Sequence, residues 1–129
     1  MLGARRLDPL QDDSHKPMKN STNVVFSTCP DLVTAKRLGA ALVEGRLAAC
    51  VNVVPGIVSI YRWQGAIQED SECLMVAKTT ATRVAALTEW LRTHHPYELP
   101  EIVAVPVTAG LAAYLDWISE QTQPAMQSA

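Results

Sequence analysis

A strand, helix, strand alternation that occurs twice, over 24–61 and again over 74–107, constrains this chain more than any other feature. Val24-Val25-Phe26-Ser27-Thr28 is β-branched and aromatic, the composition of a short strand. Pro30-Asp31 follows as a helix start with proline in the first turn. Ala35, Leu38 and Leu42 then recur at helical spacing until Gly45 supplies a stop. A second strand begins in Ala48 to Val54, breaks at Pro55-Gly56 and resumes through Ile57 to Tyr61. A Pro-Gly pair inside a strand pattern marks a bulge or an edge. Arg62 to Ala66 reads as the turn of a long hairpin that returns over Ile67 to Thr79. In the second half of that return Leu74, Val76 and Lys78 share one face and Met75, Ala77 and Thr79 the other, so Lys78 ends an apolar row.

The second unit repeats the first. Thr80 is placed to cap a helix whose Val84, Leu87 and Leu91 form a core-facing stripe until Pro96 forbids continuation. Ile102 to Val107 is the closing strand, with Pro106 suggesting an edge. Gly110 to Gln121 forms a last helix with Leu111, Leu115 and Ile118 as its stripe, and Trp90 and Trp117 are expected to pack helices. This duplicated split βαβ pattern predicts an α+β, ferredoxin-like sandwich: an antiparallel sheet with helices on one face, plus an extra C-terminal helix. The expected domain is 24–121, after a polar, aperiodic tail over 1–23 that has no apolar surface to offset the entropy of ordering it, and before a frayed end over 122–129.

Composition removes several classes of function. The 129 residues fit one domain, and Lys+Arg 11 against Asp+Glu 13 gives no electrostatic case for nucleic acid. The longest apolar runs, Leu47 to Val51 and Ile102 to Val105, are far too short to span a bilayer, and no charged segment followed by an apolar one opens the chain. A cytoplasmic protein without membrane contact is expected. Cys29, Cys50 and Cys73 match neither a disulfide framework nor a zinc knuckle. They read as reduced thiols, two of them buried, with Cys50 a small core residue.

The chemistry concentrates in His94-His95-Pro96-Tyr97-Glu98-Leu99-Pro100-Glu101, a connector between a helix end and a strand. Copper(II) favours imidazole nitrogen and, once reduced, thiolate sulfur, so His94, His95 and a nearby cysteine are a sensible ligand set. The competing reading is structural: His94 caps the negative end of the helix and His95 orders the turn. Adjacent helical residues point about 100° apart, which works against one chain chelating one ion with both rings. A second constellation is Tyr61, Trp63, Lys78, Tyr97, Glu98 and Glu101. It reads either as a Lys78–Glu101 ion pair with aromatic packing or as a pocket for a small anionic ligand. Neither a nucleophile elbow nor a phosphate-cradling glycine loop nor a paired-carboxylate spacing is present, so binding rather than catalysis is expected.

Thr28-Cys29-Pro30-Asp31, Leu47-Ala48-Ala49-Cys50-Val51-Asn52, Val54-Pro55-Gly56, Ser59 to Gly65, Lys78-Thr79, His95 to Ile102 and Tyr114 to Ile118 together resemble the CutA divalent-cation tolerance proteins. The resemblance covers about Val24 to Ser119. It implies a ferredoxin-like subunit, a tight homotrimer, an association with tolerance of divalent metals, copper above all, and an architecture similar to the trimeric PII signalling proteins, which bind small ligands between subunits. Members of that family with an assigned copper site use a cysteine of the first strand and two adjacent histidines. Here the histidines match as His94 and His95, whereas Ser27 stands at the cysteine position and Cys29 lies two residues on.

Overall fold

The computed structural model describes residues 21–124; the expected N-terminal tail, up to residue 20, and the last five residues lie outside the described part. The order of elements is β1 (Thr22–Cys29), α1 (Leu32–Glu44), β2 (Cys50–Trp63), β3 (Ala66–Thr80), α2 (Val84–His94), β4 (Val103–Pro106) and α3 (Ala112–Gln121). The four strands form one sheet in the order β2-β3-β1-β4, with every pairing antiparallel. This is the expected α+β ferredoxin-like arrangement. β1 starts two residues before the expected Val24 because Thr22 and Asn23 pair with Thr80 and Thr79.

The pleat of the sheet decides which residues meet the helices. Val25 and Cys29 of β1 and Met75 and Ala77 of β3 cluster with Ala35, Leu38 and Leu42 of α1 and Leu87 and Leu91 of α2. Each fully buried leucine removes enough apolar surface from water to contribute roughly 1.5–3 kcal/mol. The even-numbered row of β3 faces the other way, where the extra helix α3 sits: the Thr80 and Thr122 hydroxyls are 3.4 Å apart and Lys78 Nζ lies 5.7 Å from the centre of the Tyr114 ring. Of the expected α3 stripe only Ile118 is buried; Leu111 is exposed at the helix start. Trp117 does not pack between helices. It stacks on Tyr114 and remains 39% exposed, whereas Trp90 packs against the core.

Local chemistry explains the element ends. Asp31, not proline, is the N-cap of α1: its carboxylate accepts the Thr34 N–H at 2.7 Å, which holds the Asp31 carboxyl below its usual range, while Pro30 lies outside the helix. Gly45 closes α1, yet the left-handed residue is the next one, Arg46, at φ 58°. The expected Thr80 cap is absent. A single 3-10 turn, Ala81–Arg83, intervenes, and the Thr80 hydroxyl meets those of Thr82 and Thr122 instead of a backbone N–H. Pro55-Gly56 forms the expected bulge, a register shift between Val54 and Ile57 within a continuous β2. The hairpin turn is tighter than Arg62 to Ala66, because Trp63 already pairs with Ala66 and only Gln64 and Gly65 turn, at φ 49° and 81°. Both angles are positive, as in the two-residue turn that matches strand twist.

β2 and β3 outrun the rest of the sheet. β1 pairs with β3 only from Cys73 to Thr80, so 66–72 has β2 as its single neighbour. Val58, Ile60 and Ile67 are exposed on one face of this ribbon and Tyr61 and Trp63 are partly exposed on the other. Cys50, at the start of β2, is half-buried rather than in the core, whereas Cys29 and Cys73 are buried, and all three are free thiols. None of the described helices is long and apolar enough to cross a membrane.

Candidate functional site

Pro96 forces its predecessor into extended geometry, so α2 stops at His94 and His95 leaves at φ −75°, ψ 141°. That break sends the two adjacent rings in different directions. His94 stays on the helix surface, where its ring stacks on Trp90 at 4.1 Å and Nδ1 donates to the Trp90 carbonyl at 2.8 Å. The carbonyl can only accept, so Nδ1 carries an N–H, and Nε2 is the ring nitrogen left out of this contact. Backbone-carbonyl anchoring of this kind is the expected helix-end role, and it is also the arrangement that orients a metal-binding imidazole.

His95 turns inward and is buried. Nε2–H donates to the Thr28 carbonyl at 2.8 Å, and Nδ1 accepts the Tyr97 N–H at 3.0 Å. Both ring nitrogens are engaged within the chain, which fixes the neutral Nε2–H form, and burial lowers the pKa of the ring. Cys29 Sγ is 3.8 Å from Nε2 and donates to Met75 Sδ at 3.1 Å. Burial pushes the Cys29 thiol up to about 11, so it is protonated at neutral pH, whereas a metal requires the thiolate. Of the expected set His94, His95 and Cys29, the last two meet and His94 faces elsewhere. Ser27, where the resemblance expects the cysteine, is buried, and among the described residues its Oγ has no hydrogen-bond partner. Among the described residues no three His, Cys, Asp or Glu side chains are placed to hold one metal ion.

The second constellation also divides. Tyr61, Trp63, Tyr97, Glu98 and Glu101 line one cavity of about 690 Å³ between the hairpin ribbon and the connector after α2. Lys78 is not there, and the expected Lys78–Glu101 pair is not formed. β1 lies between β3 and β4, and the register aligns Lys78 with Val24 and, across it, with Val105. Glu101 precedes Val105 by four residues, which places it about 13 Å along the strand direction. Lys78 rests near the Tyr114 ring instead.

Glu72 lines the cavity as well, and Asp70, outside the lining, holds Tyr61. Glu72, only 8% exposed, accepts from Tyr97 Oη at 2.6 Å. Burial and this carboxylate together raise the Tyr97 pKa, which keeps the phenol protonated. Tyr61 Oη likewise donates to Asp70. Glu72 begins the same row that Lys78 ends and is, like Lys78, a charge at the end of an apolar row. The wall carries Glu72, Glu98 and Glu101 against one cation, Arg62, a charge opposite to what a small anionic ligand requires.

A family model described as the CutA1 divalent ion tolerance protein matches residues 23–121. Over 120 residues the chain is 45% identical to the Homo sapiens "Protein CutA", covering 93% of this chain and 67% of that one. It is 52% identical over 99 residues to the Thermus thermophilus "Divalent-cation tolerance protein CutA", covering 77% of this chain and 96% of that one. The crystal structure of CutA from Xylella fastidiosa superposes with a TM-score of 0.78 at 47% identity, covering 80% of this chain and 99% of that chain. The chain spans about three fifths of the length of the Mus musculus relative it matches. These relatives are named for the family or for cation tolerance, not for a reaction, and the chain belongs to the CutA1 divalent ion tolerance family.

Proposed function

We propose that the protein is a homotrimeric divalent-cation tolerance protein of the cytoplasm that binds copper(II) weakly through His94, with no catalytic step. The observation that carries the metal reading is the His94 ring, held by its Nδ1–H on the Trp90 carbonyl on a residue exposed to solvent, which leaves Nε2 as the nitrogen not used in that contact. A single imidazole gives weak binding, preferring copper(II) to zinc in the intrinsic order of divalent affinities. Trimerisation is supported by the hairpin ribbon, whose exposed Val58, Ile60 and Ile67 need a covering surface that one chain does not supply. The three free thiols suit a reducing compartment.

Calorimetric titration with copper(II) of the wild type, His94→Ala and Cys29→Ser tests the metal reading. His94→Ala is expected to abolish the heat of binding and Cys29→Ser to leave it unchanged. Binding weakens on acidification, because only the neutral imidazole is a ligand. Loss of binding in Cys29→Ser with retention in His94→Ala would relocate the site to the buried Cys29–His95 contact and end this reading.

A further inference from the structure

We propose that the Cys29 and Cys73 thiols form a buried site for one soft divalent cation of the mercury(II) kind, which takes two sulfur ligands in line. The two residues are directly opposite in the antiparallel register of β1 and β3. Both belong to the cluster that the sheet makes with α1 and α2, so their side chains share one face of the sheet. Residues opposed in this way hold their Cβ atoms about 4.5–5.5 Å apart, and two metal–sulfur bonds of about 2.3 Å laid in line span a similar distance. Cys29 Sγ also lies 3.1 Å from Met75 Sδ, which adds a third soft atom to the surroundings. Both cysteines are free thiols. Ser27, the register partner of Met75, is on the same face, and its Oγ is the one buried side-chain oxygen or nitrogen without a hydrogen-bond partner among the described residues. Such an atom calls for a reason, and a bound ion nearby is one of the few available.

The kind of ion follows from ligand count and charge. Thiolate and thioether sulfur select soft ions. Zinc takes four ligands, and among the described residues no three His, Cys, Asp or Glu side chains converge. His95 does not supply a third ligand: its Nε2 is 3.8 Å from Cys29 Sγ, yet one ring nitrogen is committed to the Thr28 carbonyl and the other to the Tyr97 N–H. Two thiolates and one divalent ion are neutral together, as a site this dry requires, with Cys29 0% and Cys73 5% exposed. On binding, each S–H bond is exchanged for a metal–sulfur bond and two protons pass to solvent. Burial raises the pKa of Cys29, so only an ion with a strong preference for sulfur displaces its proton. Cys29 is the last residue of β1, and its pair with Cys73 ends the ladder, where fraying of a single pair admits the ion. The site lies inside one chain, beneath that chain's own helices, and is distinct from the His94 contact proposed for copper(II).

The test uses the full chain carrying Cys50→Ser, which removes the third, half-buried thiol, kept reduced. Mercury(II) chloride is added while thiolate-to-metal ultraviolet absorption, proton release and far-ultraviolet circular dichroism are followed, with zinc chloride as the parallel probe. Expected are saturation at one ion per chain, two protons released per ion, an unchanged dichroism spectrum and no response to zinc. Cys73→Val, whose β-branched side chain suits a buried strand position, is expected to keep the fold and to lower mercury(II) affinity about a hundredfold or more, because the second thiol no longer acts at high effective concentration. Cys29→Ala is expected to show the same loss, so the result does not depend on one variant alone. His94→Ala is expected to lose copper(II) and to keep mercury(II), so failure of the copper reading and failure of this one are told apart. A single proton released per ion, mercury(II) affinity in Cys73→Val equal to that of the parent, saturation by zinc at the same site, or loss of the dichroism signal as the ion binds, which would place the thiols in an opened chain, would each overturn the proposal.

Discussion

His95 does more for the fold than any other single polar side chain in the connector, because one ring answers two backbone groups, the Thr28 carbonyl and the Tyr97 N–H. His95→Ala strands both and opens a hole beside Cys29, so a loss of about 2–4 kcal/mol is expected in chemical denaturation. The ring also sets a pH dependence. Its folded-state pKa is depressed by burial, so the unfolded chain binds the proton more readily. The stability that the neutral ring contributes is complete above about pH 6.5 and is lost as pH falls from there through the folded-state pKa. Denaturation curves from pH 7.5 to 5 check the sign: a wild type whose stability rises on acidification through that window would contradict it. Lys78 is the opposite case. Unpaired with Glu101 and resting near Tyr114, it should lose only about 0.5–1 kcal/mol as Lys78→Ala, against the roughly 3–5 kcal/mol expected of a broken buried ion pair. The residue types of the site were legible in the sequence. Which of them meet was not, because contact between Lys78 and Glu101 depends on the register of β1 against two other strands, and spacing along the chain does not carry register.

Among the elements, the hairpin was the most readable, since Pro55-Gly56 and Gly65 announce a bulge and a turn by backbone chemistry alone. Its turn now permits a quantitative expectation. Gln64 sits at a positive φ that a glutamine adopts at a cost, and Gln64→Asn would supply the Asn-Gly pair that such turns favour. A gain of about 0.5 kcal/mol is expected, measured as a rise in the denaturation midpoint, whereas Gly65→Ala at φ 81° should lose about 1 kcal/mol. Thr80 has the side chain of a cap for α2, yet its hydroxyl is drawn to that of Thr122, the residue that closes α3, a contact between distant parts of the chain. Leu111 falls in step with the α3 stripe, and periodicity assigns a face to every apolar residue in step, yet this one precedes the first turn. The distal ribbon has a consequence for assembly. A two-stranded ribbon alone is marginal in water, so Ile60→Lys, on its exposed apolar face, is expected to weaken association without unfolding the four-stranded core. Analytical ultracentrifugation of that variant reads the effect directly.

For the whole molecule, the ferredoxin-like architecture followed from the doubled strand, helix, strand pattern, and the sheet order β2-β3-β1-β4 is what that pattern yields when both units share one sheet. Spacing within one chain says nothing of what meets the exposed face of the ribbon. Removing residues 1–20 is expected to leave assembly unchanged, since the sheet begins at Thr22 and the Ser21 carbonyl already accepts the Ala81 N–H at 2.7 Å. Native mass spectrometry of the full chain titrated with copper(II) tests the account most directly, because it reads assembly and metal count in one spectrum. The account predicts a particle of three chains that takes up one copper ion per chain and loses that uptake in His94→Ala. A single-chain particle, or a His94→Ala protein that binds copper as the wild type does, would contradict it.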